Sequence, residues 1–218
     1  METAGSRRNP KLKALFMLDT IIFDLGGVLI DWNPRYVFRT IFGTEEEMDY
    51  FFENICTDEW NVQQDAGYPL AVATEERVAL FPEYEQAIRA FYGRWEEMLG
   101  GPVEETVALF EKLKTANSYR FLALTNWSAE TFPVALERYD FLHWFEGIVV
   151  SGEEKTRKPF PEFYQILLDR YEVQPERAVF IDDNLKNVEG AKALGMHTIH
   201  YRSPKQMAGE LRGFGIEC

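Results

Sequence analysis

The sequence predicts an α/β fold: a doubly wound parallel sheet, Rossmann-like in its core, with a helical cap inserted after the first strand. Two observations predict the sheet. Short apolar runs rich in β-branched and aromatic residues recur along the chain, and segments long enough for helices separate the later ones. A third observation predicts the insertion, because the first connection is far longer than a crossover needs.

The runs are Thr20–Phe23, Arg120–Leu124, Gly147–Val150, Ala178–Ile181 and His197–Tyr201. Continuous apolar character marks strands buried on both faces, as in parallel sheets. Ser128–Tyr139, Pro161–Tyr171 and Asn187–Leu194 supply the intervening helices. From Phe23 to Arg120 the chain runs nearly a hundred residues, where a βαβ unit needs about 30. Asn33-Pro34 opens the excess with a helix-start signal. Helical patterns follow at Arg35–Phe42, at Glu45–Ile55 behind Thr44 as cap, at Leu70–Leu80, and at Tyr84–Leu99 up to Gly100-Gly101-Pro102. Val103–Thr115 then reads as the helix returning to the sheet. The expected organisation is a loose extension over 1–17, a core from 18–32 and 102–218, and a helical cap over 33–101.

With 218 residues, 46% hydrophobic and 27% charged, the chain has the profile of a packed globular protein. Its net charge of −13 and the lack of a segregated basic patch exclude nucleic acid and anionic membrane surfaces as expected partners. No apolar run approaches the roughly 20 residues that span a bilayer. Cys56 and Cys218 form neither a disulfide framework nor a zinc ligand set, which points to a reducing, cytoplasmic setting.

In doubly wound sheets ligands bind beyond the carboxyl ends of the strands. There the sequence places Asp24-Leu25-Gly26-Gly27-Val28, Thr125-Asn126, Lys158-Pro159 and Asp182-Asp183-Asn184. Each alone is common turn or capping chemistry. Together, in order and spacing, they resemble the four motifs of the haloacid dehalogenase superfamily, from about Thr20 to Tyr201. The insertion falls where that superfamily places its commonest cap, the helical C1 type. The wording of the motifs is most similar to the branch that includes bacterial glucose-1-phosphate phosphatases.

The resemblance implies a Mg²⁺-dependent phosphatase of a small phosphorylated metabolite, a sugar phosphate for preference, working through an aspartyl-phosphate. Asp24 would be the nucleophile. Asp24, Asp183, the Gly26 carbonyl and Asp182, as ligand or one layer out, would hold Mg²⁺, a hard cation suited to oxygen donors. Lys158, Thr125, Asn126 and the Gly27 backbone would hold the phosphoryl group. One departure stands out: most phosphatases resembling this chain carry an acid–base aspartate two residues after the nucleophile, and this chain has Gly26. Either the leaving group departs easily, or water or a cap residue donates the proton, or the protein turns over poorly.

The stretch Asp58–Tyr68 concentrates an aromatic residue with amides and carboxylates, so Trp60, Gln63, Gln64 and Asp65 are candidates for substrate recognition; Trp60 as cap core is the equal alternative. Trp127 reads as a pocket wall or as helix-start packing, and His143, His197 and His200 as structural. A dehalogenase using Asp24 on carbon, and a metabolite-binding module without turnover, are the competing functions. The adjacent Asp182-Asp183 pair argues against the first, since halide displacement needs no metal.

Overall fold

The computed structural model describes residues 18–217, so the expected extension over 1–17 and Cys218 lie outside the described residues. The chain forms strands β1 (Thr20–Phe23), β2 (Ile30–Trp32), β3 (Leu99–Pro102), β4 (Arg120–Thr125), β5 (Gly147–Val150), β6 (Ala178–Asp182) and β7 (His197–His200). Five of them build one sheet in the order β5-β4-β1-β6-β7, every pair parallel. These are the five strands the apolar runs predict.

Alternation along β1 shows why both faces must be covered. Ile21 and Phe23 pack with Phe110, Leu113 and Phe121 on one face, while Ile22 packs with Leu122, Phe163, Tyr164 and Phe180 on the other. The helix Glu104–Thr115 supplies Phe110 and Leu113 on one side and the helix Pro161–Arg170 supplies Phe163 and Tyr164 on the other, while Phe121, Leu122 and Phe180 come from the neighbouring strands β4 and β6. Burying each large apolar side chain contributes about 1.5–3 kcal/mol, so the central strand ties both layers into one core.

Between β2 and β3 lie the helices Arg35–Phe38, Glu45–Asn54, Asp58–Asp65, Leu70–Leu80 and Glu85–Gly93. Thr44 caps the second, accepting from the Glu47 N–H at 3.2 Å, and Thr57 caps the third, accepting from the Trp60 N–H at 3.2 Å. One expectation needs correction. The helix expected over 84–99 ends at Gly93, gives way to a 3₁₀ turn over Trp95–Met98, and continues as β3. The stretch from Asp58, read for its recognition chemistry, is a regular helix to Asp65.

β2 and β3 pair with each other in antiparallel sense, Ile30 opposite Pro102 and Asp31 opposite Gly101. The two passages between the sheet and the inserted helices thus run side by side as a ribbon, and the expected boundaries at 32/33 and 101/102 fall at it. Gly101 adopts φ +113°, and a Cβ on Gly100 would stand 2.2 Å from the Asp31 carboxylate, so the glycine pair is what lets β3 lie against β2.

Candidate active site

Four strands deliver the site to the carboxyl edge of the sheet. Asp24 follows β1, its N–H donating to Ile181 O at 2.8 Å, which locks it beside the end of β6. Its Oδ1 accepts from the Leu25 N–H at 2.7 Å and lies 2.9 Å from Lys158 Nζ. Both bonds fall on the same oxygen and leave Oδ2 for other chemistry.

Lys158 is fully buried and stands between two carboxylates, donating to Asp182 Oδ2 at 2.7 Å as well. The rest of Asp182 is saturated. Its oxygens accept from the Asn184 N–H at 2.8 Å and from Asn187 Nδ2 at 3.1 Å to each. A buried carboxylate with both oxygens so committed orients the lysine. Of the two places expected for Asp182, metal ligand or one layer out, these bonds fit the second, while its oxygens stay within reach of those of Asp24 and Asp183. Asp183, beside it, is exposed and carries no such bonds from Lys158 or Asn187; its carbonyl meets His200 Nε2 at 2.9 Å, so His200 steadies this loop.

Asp24, Asp182 and Asp183 present carboxylate oxygens within 4.8 Å of one another. Three acids against one ammonium is an unstable balance without further positive charge. Burial, opposed by Lys158 and reinforced by Asp182 and Asp183, pushes Asp24 up to about 8. Burial alone would lower the Lys158 ammonium, but Asp182 and Asp24 outweigh it and hold it charged. The donor set fits a hard divalent cation at Asp24 and Asp183. A Cβ on Gly27, whose φ is +72°, would stand 2.3 Å from Asp183 Oδ2, so only glycine admits this approach.

Thr125 ends β4 at 1% exposure, and its hydroxyl has no hydrogen-bond partner. A buried orphan hydroxyl at a strand end is costly unless a ligand completes it. The side chain of Asn126 accepts from the Lys158 N–H at 2.8 Å and donates to the Lys158 carbonyl at 3.0 Å, so its amide clamps the lysine loop beside the end of β4.

Above this edge a cavity of about 90 Å³ is lined by Gly26, Trp32, Asn61, Asp65, Tyr92 and Trp95, with Asn126, Trp127, Ser128 and Thr131 closing it. Of the four residues expected to recognise substrate, only Asp65 is among them. Trp60 packs edge-on to Phe91 at 5.2 Å inside the helical layer. Gln64 is 1% exposed, and Gln63 faces solvent. These three lie outside the cavity lining, Trp60 taking the cap-core place that was its equal alternative. Trp127 combines both readings: it packs against Trp95 at 5.7 Å, yet its buried indole N–H has no partner. Trp32, Asn61 and Tyr92 were not anticipated, although Asn61 stands four residues before Asp65 and therefore on the same helix face.

Fold and site together define a doubly wound α/β protein with a carboxylate–lysine cluster at the edge of its sheet and an aromatic-walled cavity between that edge and an inserted helical layer. The family model of haloacid dehalogenase-like hydrolases matches residues 18–195, and the chain belongs to that family. It is 26% identical over 187 residues to a phosphorylated carbohydrates phosphatase of Thermotoga maritima, covering 84% of each chain. It is also 26% identical over 188 residues to fructose-1-phosphate phosphatase YqaB of Escherichia coli, covering 84% of this chain and 95% of that one. Among solved structures, a HAD family enzyme of Bacteroides thetaiotaomicron in complex with magnesium and inorganic phosphate superposes with a TM-score of 0.62 at 23% identity, over 85% of this chain and 95% of the other.

Proposed function

We propose that this protein is a Mg²⁺-dependent phosphatase of a small phosphorylated metabolite, in the sugar-phosphate class, acting through an aspartyl-phosphate on Asp24. The observation that carries the reading is the buried Lys158 held between Asp24 and Asp182, with the orphan Thr125 hydroxyl at the end of the neighbouring strand. That set offers a nucleophile, a fixed cation and an unfilled donor to one tetrahedral anion.

Asp24 Oδ2 attacks phosphorus while Oδ1 stays bound to Lys158 and the Leu25 N–H. Lys158 also faces the oxygens of the transferring group, its position fixed by Asp182 on the side chain and Asn126 on the backbone. Thr125 donates to one of those oxygens. Asp24, Asp183 and the Gly26 carbonyl would hold Mg²⁺, which supplies charge neutralisation between the carboxylates and the phosphate. The sugar-phosphate relatives support the substrate class, as do the tryptophan and tyrosine walls with the Asn61 amide between them, a lining that stacks on and hydrogen-bonds a polyol. The dehalogenase reading leaves the Asp183 carboxylate without a purpose.

The test is release of phosphate from an aryl phosphate and from a panel of sugar phosphates, with Mg²⁺ and with chelator. Turnover that needs Mg²⁺ and vanishes in Asp24→Asn supports the assignment; full activity in metal-stripped protein would sink it.

A further inference from the structure

We propose that Asp65, on the inserted helix Asp58–Asp65, gives its proton to the leaving-group oxygen and then takes one from the attacking water, replacing the carboxyl that position 26 lacks. The inference rests on the phosphatase reading and concerns the same site.

Four observations carry it. First, Asp65 and Gly26 line one cavity. Second, a Cβ built on Gly26 meets no atom within 4 Å, so the absent side chain leaves open space on that side of the cavity. Third, Asp65 is fixed to the strand ends: Ser151 Oγ donates to its carbonyl at 2.5 Å while accepting from the Trp127 N–H at 2.8 Å. Fourth, its side chain is oriented. Tyr92 donates to Asn61 Oδ1 at 2.9 Å, which turns the amide so that Asn61 Nδ2 donates to Asp65 Oδ2 at 3.2 Å. Oδ1 is left to carry the proton.

The charged and titratable groups facing Asp65 suit the task. Arg157 and Lys158, from the loop after β5, favour its carboxylate, and Tyr92 faces it from the helix Glu85–Gly93. Burial outweighs the two cations and raises Asp65 to about 7, the range in which one group serves as acid and then as base near neutrality.

In the first step the Asp24 Oδ2–P bond forms and the P–O bond to the leaving group breaks. The departing oxygen keeps the electron pair and takes the Asp65 proton. In the second step water attacks phosphorus, the Asp24–P bond breaks, and Asp65 takes the proton of the water. The sum is ester plus water to alcohol plus phosphate, with Asp65 restored.

The experiment measures single-turnover release of the leaving group by the Mg²⁺-loaded protein across aryl and alkyl phosphates. Wild type is compared with Asp65→Asn and with Asp65→Asn/Gly26→Asp. In Asp65→Asn, release from alkyl esters should fall by about 10²–10⁴-fold and from 4-nitrophenyl phosphate by less than about tenfold, because a nitrophenolate leaves without a proton. The fall of the alkyl-ester rate above neutral pH should disappear in the variant, and Gly26→Asp should restore alkyl release. Equal losses on both ester classes, or no loss, would overturn Asp65 as the donor while the phosphatase assignment stood. No turnover of any ester by wild type would overturn that assignment, and this inference with it.

Discussion

The backbone of Gly27 and the carboxylate of Asp183 share the space of a single methyl group: a Cβ on the glycine would lie 2.3 Å from Asp183 Oδ2. Gly27→Ala must therefore displace the carboxylate, and it also forces alanine into φ +72°. The backbone strain alone costs on the order of 1–2 kcal/mol. Mg²⁺ affinity should fall by about 10–100-fold, as when groups that set a ligand's orientation are disturbed. Calorimetric titration of the variant with Mg²⁺ checks this, and unchanged affinity would remove Asp183 from the metal site.

Asp24→Asn keeps the shape and the Leu25 bond but removes the attacking oxygen. Turnover should fall by at least about 10³-fold. Without metal the variant should be no less stable than wild type at about pH 8, because an amide carries none of the charge that burial penalises at this position. Thermal unfolding in chelator measures the second outcome.

The raised carboxyls set a pH dependence of stability. Asp24 at about 8 and Asp65 at about 7 both lie above the roughly 3.9 of an unfolded aspartate. Between those values the folded state binds more protons than the unfolded one, so this stabilisation is complete at low pH and is lost as pH rises through 7 to 8. Metal-free protein should lose on the order of 5 kcal/mol from about pH 5.5 to about pH 8.5. Saturating Mg²⁺ should flatten the slope by binding the ionised form. Denaturant unfolding across pH, with and without metal, gives the comparison.

Asn126→Ala removes both bonds to the Lys158 backbone, at 2.8 and 3.0 Å. The cost should be about 1–3 kcal/mol, and kcat should drop by about 10–100-fold as the ammonium loses its placement. Asn126→Asp keeps the acceptor for the Lys158 N–H but turns an oxygen toward its carbonyl, so it should rescue little. Wild-type kcat in Asn126→Ala would show that the lysine needs no such clamp.

The main sheet was legible because five runs such as Thr20–Phe23 are apolar on both faces, and a strand end then dictates where Asp24, Thr125 and Asp182 must stand. The ribbon was not. Ile30-Asp31-Trp32 and Leu99-Gly100-Gly101-Pro102 are short, and their partners are distant in sequence, so neither carries a local signal. The helix Asp58–Asp65 offers only Trp60 and Val62 as apolar residues, too few to show which face is buried. Residue type alone therefore could not separate Trp60 and Gln64, turned inward, from Asp65 at the cavity. Nor could it show that Asn126 spends its amide on Lys158, because hydrogen-bond partners are chosen by tertiary geometry.

The hydrogen-bonded pairing of β2 with β3 has a mechanical consequence. Two independent tethers would let the inserted helices twist and slide; a ribbon strongly resists shear and flexes most easily out of its own plane. The two crossings into the inserted helices are thereby held at one spacing, and the Ser151 hydroxyl, bonded to the Asp65 carbonyl, adds a fastening between the helix Asp58–Asp65 and the end of β5. A helix fastened both through the ribbon and at the end of β5 holds Asp65 at one place against the cavity it lines.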